Sequence, residues 1–156
     1  MEMPARLKGR CVIFCYPWTG APSLANPPGW DDIPGAHGST PEAEGFRNLH
    51  IAFIGLRMPV FGLSTQSTGH QREFATRQKL PYRLLSDEHF VFQSALRLPI
   101  FETGGVRYLR RITLVLRDGA IERVFFPVYP PDTHAREVTA WCSASASYAA
   151  EIAKTP

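Results

Sequence analysis

The chain has 156 residues and carries 17 Lys and Arg against 14 Asp and Glu, a formal net charge of +3. With 44% hydrophobic and 20% charged residues, that length suits one folded domain and excludes a disordered chain. The arginines form no basic run, which argues against nucleic acid, and the longest apolar runs (11–16, 51–56 and 112–116) fall short of the ~20 residues that span a bilayer.

The first residues, Met-Glu-Met-Pro-Ala-Arg, contain no apolar signal region, so a cytoplasmic location without a membrane partner is the expectation. Residues 7–16 open polar and then read Cys-Val-Ile-Phe-Cys-Tyr, which predicts a central strand buried on both faces and ended by Pro17. Cys11 and Cys15 would sit about 13 Å apart along it, beyond disulfide reach, and read as small core hydrophobes. Residues 19–38, rich in Pro and Gly, predict a long loop that Trp18 and Trp30 can pack down; loops of this length are often functional.

The stretch from Pro34 to Arg47 is a glycine-broken loop entering a helix. Ser39 or Thr40 is the expected N-cap and Pro41 the first helical residue, with Glu42 and Glu44 near the positive end of the dipole. Phe46, Leu49 and Phe53 recur at helical spacing and predict one helix over 41–57. A group at residue 39 would face free backbone N–H groups, a setting that stabilises an anion.

Residues 59–64 predict a strand, 64–69 a turn, and 68–79 an amphipathic helix ended by Pro81. A strand at 82–85, a helix at 88–96 and a loop at 99–105 follow. Strands at 110–116 and 121–126 flank Asp118-Gly119, a strong hairpin signal. The last helix covers 132–154 with Asp132 as N-cap. The order βαβαβαββα predicts a single α/β domain over 1–156, a thioredoxin-like sandwich with a central mixed sheet flanked by helices.

Several of these segments resemble one family. The Tyr16-Pro17 strand end, the Gly38-Ser39-Thr40-Pro41 loop, Phe61-Gly62-Leu63-Ser64-Thr65-Gln66, Leu84-Leu85-Ser86-Asp87 and the hairpin opening Arg111-Ile112-Thr113 occur in the order found in peroxiredoxins. The likeness is greatest to the bacterioferritin-comigratory, PrxQ-like branch with its Gly-Cys-Thr-Pro loop, and runs from about residue 9 to 141. It implies a thiol peroxidase reducing hydrogen peroxide or organic hydroperoxides without cofactor or metal, with an external thiol such as thioredoxin or glutathione as reductant, working as monomer or homodimer. Ser39 stands where the family has its peroxidatic cysteine, and Glu44 where many relatives have a second one. Arg111 falls at the position of the arginine that pairs with the peroxidatic group; Pro34, His37, Gly38 and Thr40 fall in the substrate pocket. The chain departs from the pattern at Ala36, in the threonine position, and two N-terminal strands usual in the family are missing or reduced.

Read from its residues alone, Ser39 is an N-cap serine; the motif around it makes it a site. Arg110 and Arg111 alternate in a strand, so only one can face the loop. A Ser39–His37 hydrolase pair lacks a nucleophile elbow, and the five histidines lack metal-ligand spacing. Cys142 reads as a packed cysteine, with a resolving thiol as the minority reading. Two other functions stay open: a peroxidase-dead binding or regulatory protein, and a non-redox reaction using His37 or Glu44 as acid or base.

Overall fold

The computed structural model of the chain describes residues 8–153, with side chains described through residue 146. The strand expected from residue 7 and the helix expected to reach 154 each extend one residue outside that range. The elements run β1 (Arg10–Cys15), a 3-10 turn (Trp30–Asp32), α1 (Ser39–Asn48), α2 (His50–Gly55), β2 (Val60–Ser64), α3 (Thr68–Arg77) and β3 (Arg83–Ser86). They continue through α4 (Val91–Leu96), β4 (Ile100–Thr103), β5 (Val106–Leu109), β6 (Ile112–Arg117), β7 (Ala120–Phe125), a second 3-10 turn (Pro131–Thr133) and α5 (His134–Ala153).

Five strands form a mixed sheet in the order β3-β2-β1-β6-β7, and β4 and β5 form a separate two-stranded sheet. β1, β2 and β3 are parallel to one another, while β6 runs antiparallel to both β1 and β7. This is the thioredoxin-like arrangement, with a βαβ half joined to a ββα half. β1 shows why its sequence does not alternate. Val12, Phe14 and Tyr16 enter one core with Phe46 of α1, Phe53 of α2, Phe74 of α3 and Val138 of α5. Cys11, Ile13 and Cys15 enter the other, with Phe92 of α4 and Leu109 of β5. Phe14 stacks on Phe46 with centroids 4.4 Å apart, fixing α1 against the sheet; each ring so buried contributes about 1.5–3 kcal/mol.

Three expectations need correction. The helix expected over 41–57 is broken at Leu49, whose backbone leaves the helical region at φ −102°, ψ 13°. The loop expected at 99–105 is a hairpin, β4 to β5, turning at Gly104-Gly105, where both φ values are positive. The last helix starts at His134, since Asp132 belongs to the preceding 3-10 turn. The Asp118-Gly119 turn does join β6 to β7, with φ of 50° and 82° at its two residues; those values suit the primed turns of tight hairpins.

Candidate active site

The site is built where β1 ends and α1 begins. Gly38, not a hydroxyl residue, is the N-cap of α1, with φ 111° and no side-chain cap. Ser39 is the first helical residue, and Pro41 is the third rather than the first. Glycine is required at 38 twice over: its φ is left-handed, and a Cβ there would lie 2.3 Å from Cγ of Pro131. The N–H of Glu42 bonds the Gly38 carbonyl at 3.0 Å, while the backbone N–H groups of Ser39 and Thr40 have no partner among the described residues. Such free first-turn donors are what a helix start leaves over.

Arg111 reaches this start from the other half of the fold. Ile112 pairs with Cys15, so the residue before β6 lies just past the carboxyl end of β1, beside the loop that β1 feeds. Its Nη1 and Nη2 donate to Ser39 Oγ at 3.3 and 3.2 Å. Nη1 also donates to Glu42 Oε2 at 3.3 Å, and Nη2 faces the carbonyl oxygens of Gly35, Ala36 and His37 at 3.3, 3.4 and 3.1 Å. Ser39 and Arg111 are each 4% exposed and Glu42 0%. Arg110 is exposed, its Nε donating to the Ile100 carbonyl, so the two neighbouring arginines do point apart.

Glu42 is the member that sequence reasoning missed as a site residue. A charged residue in a first turn ordinarily faces water and favours the dipole. The signal available was its spacing: three residues after Ser39, on the same helix face. Burial pushes its carboxyl up to about 7, with Arg111 pulling in the opposite direction. Glu42 Oε1 and Arg111 Nε have no hydrogen-bond partner among the described groups.

A cleft of about 450 Å³ opens over Ser39, lined among others by Trp18, Trp30, Ala36, His37 and Thr40. The loop that forms its far wall is tied down by side chains. The Gln66 amide accepts from the Thr19 N–H at 2.9 Å and donates to the Thr19 carbonyl at 3.0 Å. Trp30 is buried between Tyr108 and Phe101, ring centroids 5.2 and 5.6 Å away, on the β4–β5 hairpin.

The other sequence candidates fall outside this centre or at its rim. His37 is exposed and its Nε2 pairs with the Asp31 carboxylate, not with Ser39. Pro34 lines a separate cavity of about 80 Å³ that also touches Arg110, Arg111 and Phe126. Glu44 is half-buried on α1. Cys142 lies in the core with Val138 and Phe125, and burial pushes its thiol up to about 11. Burial also raises Cys11 and, strongly, Cys15.

No family model matches the chain. Peroxiredoxin Q, chloroplastic, of Oryza sativa subsp. japonica is 25% identical over 134 residues, covering 85% of this chain and 54% of that protein. The chain thus spans about half the length of the curated relatives it matches. Among solved structures, peroxidoxin BcpB from Mycobacterium tuberculosis is 27% identical with a TM-score of 0.67, covering 90% of this chain and 82% of that one. A cysteine-to-serine mutant of PrxQ from Xylella fastidiosa is 25% identical with a TM-score of 0.69, covering 89% and 79%. The fold is the thioredoxin-like fold of the peroxiredoxins, and the sequence likeness supports kinship with their PrxQ, bacterioferritin-comigratory type. Among the described residues no helix is long and apolar enough to cross a membrane.

Proposed function

We propose that the chain is a peroxiredoxin-type thiol-peroxidase scaffold, one cytoplasmic domain, that keeps the peroxide site but lacks its sulfur, so that it holds a peroxide-like ligand without turning it over. The observation that carries this reading is the Ser39 hydroxyl at the first residue of α1, in contact with Arg111 and facing a cleft. A thiol in that place would be held as thiolate by the helix start and the guanidinium. Its sulfur would attack the terminal peroxide oxygen, the O–O bond would break, and the leaving oxygen would take up a proton as alcohol or water, leaving sulfenic acid. A serine hydroxyl has no accessible anion near neutrality and no sulfenic state. It preserves shape and hydrogen bonding but not the redox step.

The test compares the unmodified chain with Ser39→Cys, using hydrogen peroxide and either thioredoxin or glutathione as reductant. The unmodified chain is expected to show negligible turnover. The new thiol is expected to titrate below the ~8.5 of free cysteine and to be trapped as sulfenic acid. With Glu44 in place of a second cysteine, reduction needs an external thiol. Robust turnover by the unmodified chain overturns the reading. An inert Ser39→Cys thiol with an ordinary pKa favours the alternative, a peroxidase-dead binding or regulatory protein. A reaction using His37 as base on Ser39 gains no support, since among the described residues no hydrogen bond joins its ring to the Ser39 hydroxyl.

A further inference from the structure

The five-stranded sheet has two edges, β3 and β7, and they differ in what their charges do. On β7 the charges serve the fold itself. Glu122 pairs with Arg10 and Arg117, and Arg123 lies over the rings of Phe125 and Trp141. The β3 edge has α3 packed beside it. Arg72 of α3 and Arg83 of β3 are both exposed, and among the described residues neither guanidinium has a hydrogen bond, ion pair or ring contact. The Asp87 N–H bonds the Ser64 carbonyl at 2.8 Å, and Leu85 lies opposite Leu63 in the parallel register. Backbone groups along a strand turn to alternate sides, so those of Arg83 and Leu85 face β2. The N–H and C=O groups of Leu84 and Ser86 face the open edge.

Side chains alternate between the two faces of the sheet. Leu84 packs into the core that holds Phe74 of α3, and Leu85 into the core on the opposite face. Arg83 therefore leaves the strand on the face away from α3, while Arg72 stands on the near face. The open edge runs between two cations, one on each side of the sheet. A groove of about 400 Å³ lies between helix and strand, lined among others by Gln71, Ala75, Tyr82 and Leu84, and among the described residues no carboxylate lines it. Gln71 fixes its width, since its amide donates to Ser64 Oγ and to the Leu85 carbonyl, each at 2.8 Å. The four residues of β3 give an edge about 13 Å long at ~3.3 Å per residue.

We propose that the β3 edge docks an extended acidic segment of a partner protein, added to the sheet as a sixth strand. Its backbone bonds the free groups of Leu84 and Ser86. Its successive side chains point to opposite faces, so two neighbouring acidic residues meet Arg72 and Arg83 in turn. A second copy of this chain fits poorly, because its β3 would bring its own Arg83 to the same two arginines. A nucleic acid would meet the charges but has no peptide backbone to continue the ladder. The site makes no use of Ser39 and stands whatever chemistry residue 39 performs.

The probe is a fluorescein-labelled peptide capped at both ends, Thr-Val-Asp-Glu-Val-Thr, titrated with the full chain and followed by anisotropy. It is expected to bind saturably, and its Asn-Gln counterpart about tenfold more weakly. Arg72→Gln and Arg83→Gln should each weaken the acidic peptide about threefold, and together about tenfold, with the urea midpoint unchanged. The double reversal Arg72→Glu with Arg83→Glu should instead prefer a Lys-Lys peptide. N-methylation of one of the two acidic residues should weaken binding at least about tenfold and of its neighbour little, because alternate residues of a strand face the edge. Amide exchange at Leu84 and Ser86 should slow on saturation, with no such change in β7. No saturable binding, an Asn-Gln peptide as tight as the acidic one, or an equal response to both N-methylations overturns the proposal. So does protection that falls outside β3. A single-stranded oligothymidylate that displaces the peptide at equal charge concentration overturns it too, since the edge would then hold any polyanion. A dimer that the peptide or Arg83→Gln dissociates assigns the edge to a second copy and overturns it likewise.

Discussion

Arg111 and Glu42 are both removed from water, at 4% and 0% exposure, and among the described residues each is the other's only opposite charge within salt-bridge reach. A pair this buried loses hydration on both sides, so removing one member is worse than never having had either. Arg111→Met should cost about 3–5 kcal/mol, read as a shift in the urea midpoint, because Glu42 is left without its cation. The pH dependence follows from Glu42, whose carboxyl is pushed by burial from its ordinary 4.5 up to about 7 in the fold. Between those values the folded state holds a proton that the unfolded chain has released, so this contribution is whole below about pH 4.5 and lost as pH rises through about 7. At about 1.4 kcal/mol per unit the window spans roughly 3 kcal/mol. Stability of Glu42→Gln relative to the unmodified chain, measured by denaturant at several pH values, should therefore improve as pH rises through this window. Two parallel stability curves would remove Glu42 as the titrating group.

At the scale of the element, α1 depends on a glycine that the sequence does not advertise. Ser39 and Thr40 have the side chains that usually cap helices, and the expectation placed the cap on one of them. The structure starts the helix at Ser39, two residues before Pro41, because Gly38, at φ 111°, makes the turn against Pro131. Gly38→Ala meets both the left-handed backbone and a 2.3 Å contact, and should lower stability by about 1–3 kcal/mol by denaturant titration. In the Ser39→Cys background it should also raise the thiol pKa, since the helix start moves away from Arg111. A variant with unchanged stability would mean the loop has room to re-form. The unbroken apolar run of β1 and the Asp118-Gly119 turn were legible because burial on both faces and positive φ leave residue-level marks. The β4–β5 hairpin was missed because each strand has four residues and the Gly104-Gly105 turn was read as loop punctuation. The break at Leu49 has no breaker residue, so nothing in the periodicity marks it.

At the scale of the whole molecule, the sheet order brings together two residues 72 apart in sequence by pairing β6 with β1. Composition and period could not have supplied that contact; it came from the likeness of the hairpin around Arg111 to a known pattern, and Glu42 was overlooked because a first-turn acid ordinarily faces water and only its spacing from Ser39 marked it. The same topology sends the three cysteines away from the site. Cys11 and Cys15 line one face of the central strand and Cys142 the core under α5, all 3% exposed or less. Each thiol is raised by burial, Cys142 to about 11, so none is a thiolate near neutrality. The native chain should leave an aromatic disulfide reagent almost unreacted, release three equivalents of thiol only when unfolded, and keep its mass in millimolar peroxide. Ser39→Cys should add one peroxide-sensitive sulfur to that background. Prompt oxidation of Cys142 in the native chain would instead mean that the core beneath α5 opens on the timescale of the assay, and would move the resolving-thiol reading of Cys142 from the minority to the leading one.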